Sequence, residues 1–127
     1  MKLRVHTASI LFGATVLLWS RPQDVEVRSH LERAARAKRN GDLKTAAGEY
    51  GKALELDPNQ AETYALLGMV YQDLGMLPEA MDSLEHALRL NPRLPRVNVL
   101  LAFNYIGVGR LRRGQGLPPL SPHPFLR

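Results

Sequence analysis

Two stretches of the sequence repeat one another at a fixed distance of 34 residues. The six residues "ALELDP" at 53–58 return almost unchanged as "ALRLNP" at 87–92. The same shift matches three further residues, all of them small or apolar: Gly41 with Gly75, Leu43 with Leu77, and Ala46 with Ala80. Identities of this kind at one constant spacing indicate a structural unit that is built more than once.

Each period carries the pattern of two amphipathic helices. The first stripe of the second period follows the helical spacing i, i+3, i+4 and i+7 and consists of Tyr64, Leu67, Gly68 and Tyr71. The second stripe consists of Ala80, Leu84, Ala87 and Leu88. Gly75 ends the first helix, and Pro78 suits the first turn of the next. We expect Gly68, Ala80 and Ala87 to lie where the two helices approach closely. No segment of 27–109 alternates as a strand would, so the sequence predicts an all-α fold.

The second period resembles the tetratricopeptide repeat, because it reads Tyr64-x2-Leu67-Gly68-x2-Tyr71, then Ala80-x3-Leu84, then Pro92, with Tyr in place of the usual Trp. The first period matches mainly in its second helix, through Ala46, Tyr50, Ala53 and Pro58. A further first helix follows Pro95 and keeps Leu101, Ala102, Tyr105 and Gly109 in phase. The resemblance implies a short α-solenoid of antiparallel helical hairpins. Its repeats would occupy 27–60 and 61–94, with a partial repeat at 95–109.

Residues 1–20 have the composition of an export signal. Lys2 and Arg4 precede an apolar run of twelve residues from Ala8 to Trp19, as in a signal peptide. Twelve helical residues span about 18 Å, less than the roughly 30 Å of a bilayer core. Cleavage after Ser20 would leave Leu18 where a small residue is preferred, so a cleaved signal peptide and an uncleaved signal-anchor both stay open. Either predicts an exported bacterial protein, periplasmic or membrane-anchored and facing the periplasm or the extracellular side, with 21–26 as a linker.

Residues 110–127 lose the repeat pattern. They are rich in Pro, Gly and Arg, and we expect a disordered tail because proline and glycine disfavour a regular helix. One interpretation is a genuine extension that includes a PxxP segment at 119–122. The other is a truncated or frame-altered version of a longer repeat array. Either leaves the last hairpin without its second helix, so the sequence predicts exposed Leu100, Leu101 and Tyr105, and self-association or dependence on a partner.

Charge and residue types argue against nucleic-acid binding and catalysis. The net charge is +5, but residues 22–109 hold ten Lys and Arg against twelve Asp and Glu, so the folded part lacks the basic surface that phosphates require. The chain has no cysteine and only four histidines, which show no metal-ligand spacing. His30 and His86 are expected on helix surfaces. No catalytic or nucleotide-binding motif is present, so we predict a protein that is not an enzyme and uses no cofactor.

The resemblance implies a recognition function. In tetratricopeptide repeats the first helices line a concave groove that accepts an extended peptide or a partner's helix. The corresponding groove positions are Leu31, Ala35, Lys38, Glu62, Ala65, Met69, Gln72, Asp73, Val99, Phe103 and Ile106. Met69 and Phe103 are the expected anchors, although each groove residue could instead simply pack against neighbouring helices. Leu31 and Ala35 stand where members that grip a peptide carboxyl terminus have Lys and Asn, which argues against binding of chaperone tails.

These observations predict a non-catalytic scaffold of the cell envelope that binds a partner protein or peptide. Membrane association would occur only through an uncleaved N-terminal anchor. Two alternatives stay open. One is a fragment of a longer repeat protein with little independent function, and the other is an accessory module tethered to a membrane enzyme complex.

Overall fold

Five helices follow one another through residues 21–118, the part of the chain that the structure, a computed structural model, describes. They are α1 (Pro22–Arg39), α2 (Leu43–Leu56), α3 (Ala61–Asp73), α4 (Leu77–Leu90) and α5 (Val97–Gly114). No strand occurs within these described residues. The predicted all-α fold is therefore confirmed for 21–118, whereas the predicted signal segment at 1–20 and the residues from 119 onward lie outside the described residues.

Consecutive helices pack as antiparallel hairpins. The helix α1 packs against α2, and α3 packs against α4. Both hairpins turn at a glycine with positive φ, Gly41 at 78° and Gly75 at 76°, a conformation that side chains other than glycine's disfavour. The backbone N–H of Met76 donates to the Tyr71 carbonyl at 2.9 Å, which closes a Schellman turn at the end of α3. The predicted helix break at Gly75 is thus confirmed.

Two apolar clusters form the core. The first cluster lies among α1, α2 and α3 and contains Ala34, Ala37, Ala46, Tyr50, Leu54, Leu67 and Val70. The second cluster lies between α4 and α5 and contains Leu84, Ala87, Leu88, Val97 and Leu101. Tyr64 of α3 packs against both clusters. Each hairpin therefore completes its core with the helix that follows it, as expected for stacked repeats.

The contact between α3 and α4 is tight at Gly68. A Cβ atom added there would lie 2.7 Å from Leu84 Cγ and 3.1 Å from the carbonyl oxygen of Ala80. Ala80 and Ala87 are fully buried on the facing helix. The prediction that these three small residues lie where two helices approach closely is confirmed.

Two helices extend beyond the boundaries that the sequence predicts. The helix α1 begins at Pro22, within the predicted linker 21–26, because proline suits a first helical turn. The helix α5 begins at Val97 and continues to Gly114, five residues past the predicted end at Gly109. Arginine and leucine favour helix in this stretch, and an interior glycine costs only about 1 kcal/mol. Among these five helices, none combines the length and apolarity needed to span a bilayer.

Candidate partner-binding surface

One side of α5 exposes large apolar side chains. Val99, Phe103 and Ile106 are 57%, 62% and 52% exposed. Their i, i+4, i+7 spacing places them on one face of the helix. They line a depression of about 310 Å³ together with Asn98 and Ala102. Three of the predicted groove residues therefore form a continuous apolar patch, which we call the α5 face.

The residues that were expected to be exposed on this helix lie elsewhere. Leu101 is buried, and Leu100 and Tyr105 are half-buried against the second cluster. The prediction of exposure was wrong because these three side chains point toward α4. The open side of α5 is the one that carries Val99 and Phe103.

The groove residues of α3 form a half-buried, mainly polar surface. Met69 and Gln72 are half-buried, whereas Glu62 and Asp73 are exposed. Helical spacing places all four on one face of α3. Ala65 is half-buried against the second cluster, so part of its surface already serves packing.

The groove residues of α1 are less accessible. Leu31 packs against the first cluster, while Ala35 and Lys38 are half-buried. Lys38 forms no ion pair with any residue of 21–118. The surface formed by α1, α3 and α5, the first helices of the three repeats, therefore changes in charge and polarity. It carries a lysine on α1 and two acidic residues on α3, and it ends in the apolar α5 face.

A carboxylate ties α1 to α2 behind this surface. Glu49 is buried, and its Oε2 atom lies 2.7 Å from His30 Nδ1 and 3.2 Å from Arg33 Nε. Its Oε1 atom accepts a hydrogen bond from Lys52 Nζ at 2.9 Å. The hydrogen bonds from His30 and Lys52 lower the pKa of Glu49 from 4.5 to about 2. His30, expected on a helix surface, is half-buried within this network.

One side-chain contact of α4 lies within the second hairpin, and another joins this hairpin to α5. The rings of Tyr64 and His86 stack with their centroids 4.2 Å apart. The hydroxyl of Tyr105 donates to Glu85 Oε1 at 2.6 Å. Burial, followed by this hydrogen bond, raises the pKa of Tyr105 well above its usual range. His86 is thus half-buried against an aromatic ring.

A buried asparagine lies under the α5 face. Asn104 is 1% exposed, and its Nδ2 atom donates to the Leu100 carbonyl at 3.0 Å. Its Oδ1 atom accepts no hydrogen bond from the described residues. The residue one period earlier is Val70, which is fully buried in the first cluster. Sequence periodicity could have identified Asn104 as a polar residue at a core position.

The described residues contain no group of three His, Cys, Asp or Glu side chains that could hold a metal ion. The side-chain clusters described above instead hold helices together. The arrangement is a stack of helical hairpins with an exposed apolar face at one end, which is the architecture of a helical-repeat protein.

Comparisons with known proteins assign the repeats to a family. The sequence profile described as "TPR repeat" matches residues 38–75, and the profile described as "Tetratricopeptide repeat" matches residues 61–94. Residues 38–94 of the chain thus match tetratricopeptide repeats, and the resemblance inferred from the sequence is confirmed.

One curated relative matches part of the chain. It is the tetratricopeptide repeat and J domain-containing co-chaperone DNJ1 of Cryptococcus neoformans, with 36% identity over 62 residues, or 49% of this chain. The match spans 12% of that relative's length.

Solved structures share the fold. The C-terminal TPR-containing domain of a putative FK506-binding protein from Plasmodium falciparum superposes with a TM-score of 0.65 at 24% identity, covering 72% of this chain and 60% of that one. The TPR2B domain of yeast Sti1, in a complex with pHsp70, superposes with a TM-score of 0.64 at 18% identity, covering 70% of this chain and 71% of that one. At these identities the likeness concerns the fold alone.

Proposed function

We propose that this chain is a non-catalytic interaction module that binds a partner protein through the face shared by α1, α3 and α5. Tetratricopeptide repeats generally mediate protein–protein interaction, and the yeast Sti1 domain of the same fold is in a complex with pHsp70. The observation that carries the proposal is the α5 face, because exposed aromatic and aliphatic side chains in one patch are typical of interaction sites.

The partner in this proposal is an extended peptide or an amphipathic helix. Its apolar side chains would lie against Phe103 and Ile106 and continue toward the half-buried Met69. A single helix face that inserts into an apolar groove is a common recognition mode. Leu31 and Ala35 provide no charge for a peptide carboxylate, so the proposed contact relies on apolar burial.

Paired variants test this surface. Crosslinking in cell extracts would first identify the partner, and purified partner would then be titrated onto the full chain. Phe103→Ala should weaken binding at least tenfold, because truncating a buried aromatic anchor commonly removes 2 kcal/mol or more. Leu111 is 59% exposed on another side of the same helix, so Leu111→Ala is the matched control. Equal binding by both variants would reject the α5 face as the docking site.

The cellular location is a separate part of the proposal. We infer a protein of the cell envelope from the charged and apolar pattern of residues 1–20. Fractionation combined with N-terminal sequencing tests this inference. A full-length chain in the cytosolic fraction would contradict it, whereas a full-length chain in the membrane fraction would favour the uncleaved anchor.

A further inference from the structure

Two arginines continue the line of the α5 face along the helix. Arg110 and Arg113 follow Ile106 by four and seven residues, a spacing that keeps them on the same side of α5. Both are exposed, and neither forms an ion pair with any residue of 21–118. From Val99 to Arg113 the resulting stripe is about 21 Å long. Its first part is apolar, and its second part is cationic.

The sequence around this stripe has no acidic residue. Residues 86–118 hold six arginines and no Asp or Glu, whereas residues 21–85 hold eight Lys and Arg against twelve Asp and Glu. The six arginines lie at the end of α4, in the connection to α5 and in α5 itself, at positions 89, 93, 96, 110, 112 and 113. A surface of one charge sign attracts partners of the opposite sign. The end of the array that α5 forms is therefore suited to an acidic partner.

The fold itself accounts for only some of these cations. The helix dipole favours arginine in the last turn of a helix, and Arg112 and Arg113 lie there. Arg112 also donates to the Pro118 carbonyl at 2.9 Å. Arg110 precedes this turn. The carboxylate of Glu85, which lies against α5, instead accepts a hydrogen bond from the Tyr105 hydroxyl, on the side that faces α4.

The shape of the α5 face favours a helix over a membrane surface. The face lines a depression of about 310 Å³ that includes Ala102, and one period earlier the equivalent Gly68 receives Leu84 of a packed helix. A small residue at this position lets a second helix approach closely. A bilayer is flat, and an anionic bilayer would also approach Glu62 and Asp73, which α3 exposes beside α5.

A second copy of the chain is a poorer match than an acidic partner. Two α5 faces packed against each other would bring Arg110 and Arg113 of both copies into one interface. Residues 86–118 offer no Asp or Glu to pair with these four cations. Removing an unpaired charge from water is costly, so charge complementarity favours a partner that supplies carboxylates.

We propose that the α5 face binds an acidic amphipathic helix, whose apolar side chains cover the face and whose carboxylates pair with Arg110 and Arg113. This inference rests on the proposed function, because it names the chemistry of the partner that the α5 face binds. Arginine suits this task, since its planar guanidinium group matches a carboxylate with two hydrogen bonds. Charge pairs at the edge of an apolar contact contribute more to specificity than to affinity.

The geometry of the stripe sets the sequence pattern of the partner. Apolar residues should recur at i, i+4 and i+7 to cover the α5 face. Asp or Glu should stand about one and two turns beyond them, because Arg110 lies about 6 Å and Arg113 about 10 Å past Ile106 along the helix axis. A partner helix of about 15 residues spans the whole stripe.

Synthetic peptides test the inference on the full chain. The first is a helical peptide of about 18 residues with leucine at i, i+4 and i+7 and two glutamates at each end. The second has glutamine in place of the glutamates, and the third has lysine. In anisotropy titrations at about 0.1 M salt, the glutamate peptide should bind about three- to tenfold more tightly than the glutamine peptide, because exposed charge pairs contribute modestly. The lysine peptide should bind least tightly. Equal binding of the glutamate and glutamine peptides would overturn the inference.

Variants of the protein locate the charge effect. Arg110→Gln combined with Arg113→Gln should abolish the preference for the glutamate peptide over the glutamine peptide. The matched control is Arg36→Gln combined with Lys44→Gln, which removes the same charge from exposed positions on α1 and α2. The control should keep the preference, because salt screens exposed charges over about 10 Å. If both double variants lose the preference equally, net charge rather than the stripe explains it, and the inference fails.

Phe103→Ala separates this inference from the proposed function. The expected result is weaker binding of the glutamate and glutamine peptides, with the preference for glutamate retained. If Phe103→Ala weakens both peptides while glutamate gives no advantage, the α5 face is a docking site and only the acidic partner is rejected. If Phe103→Ala changes the binding of neither peptide, the proposed function fails together with the inference.

Two further measurements test the other occupants of the α5 face. Co-sedimentation with vesicles of phosphatidylcholine and phosphatidylglycerol, and sedimentation velocity, should give the same result for the wild type, for Phe103→Ala and for the Arg110 and Arg113 double variant. Vesicle binding that the double variant loses would assign the face to an anionic membrane. A dimer that Phe103→Ala dissociates would assign it to a second copy. Either result would exclude the acidic helix as the occupant.

Discussion

Replacing Gly68 by alanine tests the close approach of α3 and α4. The new Cβ atom would lie 2.7 Å from Leu84 Cγ and 3.1 Å from the Ala80 carbonyl oxygen. Neither neighbour can withdraw easily, because Leu84 is fully buried and the oxygen belongs to the backbone of α4. Overpacking of this kind costs about 1–3 kcal/mol, while alanine gains about 1 kcal/mol over glycine in helix propensity. The net expectation is a loss of about 0–2 kcal/mol.

The matched control is Gly48→Ala. Gly48 lies in the interior of α2, and a Cβ atom there would meet no atom within 4 Å. This variant should keep the propensity gain of about 1 kcal/mol. The two variants should therefore differ by about 1–3 kcal/mol in urea unfolding, and their melting temperatures should differ by at least about 4 °C for a domain of this size. If Gly68→Ala proves as stable as Gly48→Ala, the tight helix contact is refuted.

Three further predictions concern other parts of the structure. Asn104→Leu should raise the free energy of unfolding by about 1–3 kcal/mol, because it removes a buried acceptor that the described residues leave unpaired. The control Asn98→Leu, at an exposed position, should change this free energy little. A destabilised Asn104→Leu variant would contradict the prediction. Folding lowers the pKa of Glu49 to about 2, so its contribution to stability should be complete above pH 4.5 and disappear as the pH falls toward 2. Over this pH range the urea midpoint of Glu49→Gln should therefore fall less than that of the wild type. An equal fall of the two midpoints with pH would argue against the network. Phe103→Ala should leave the free energy of unfolding, measured by urea titration, within about 0.5 kcal/mol of wild type, as exposed positions do. Any loss of partner binding would then reflect contact rather than folding.

The hairpins could be predicted from the sequence because their determinants are local and occur twice. Gly75 ends a helix through its own backbone conformation, and Gly68 faces a leucine within the same hairpin. Residues that recur with the period of 34 therefore indicate which positions lie between neighbouring helices. The same signal located the α5 face, since Val99 and Phe103 occupy the phase of Ala65 and Met69.

Other features could not be predicted because they depend on contacts between distant residues. His30 reaches Glu49 across 19 positions of sequence, and nothing in the local pattern marks either residue as a partner. The end of α5 was misplaced because Gly109 is in phase with two helix-ending glycines, yet the turn forms at Gly116. A glycine permits a turn without requiring it, and the helix-forming residues after Gly109 favour continuation.

Apart from the buried Asn104, the first helix of the third repeat departs from its counterparts mainly on one side, and this explains how it stays in place. Toward α4 it keeps the apolar residues Val97 and Leu101, both buried, and burying such a side chain stabilises by about 1.5–3 kcal/mol. On the side where the second helix packs in the first two repeats, it has Asn98 and Ala102, which are exposed in the described region. Among residues 21–118, only the preceding hairpin holds the helix α5. Because no helix in the described region covers Phe103, a partner could bury the α5 face without displacing any part of the core.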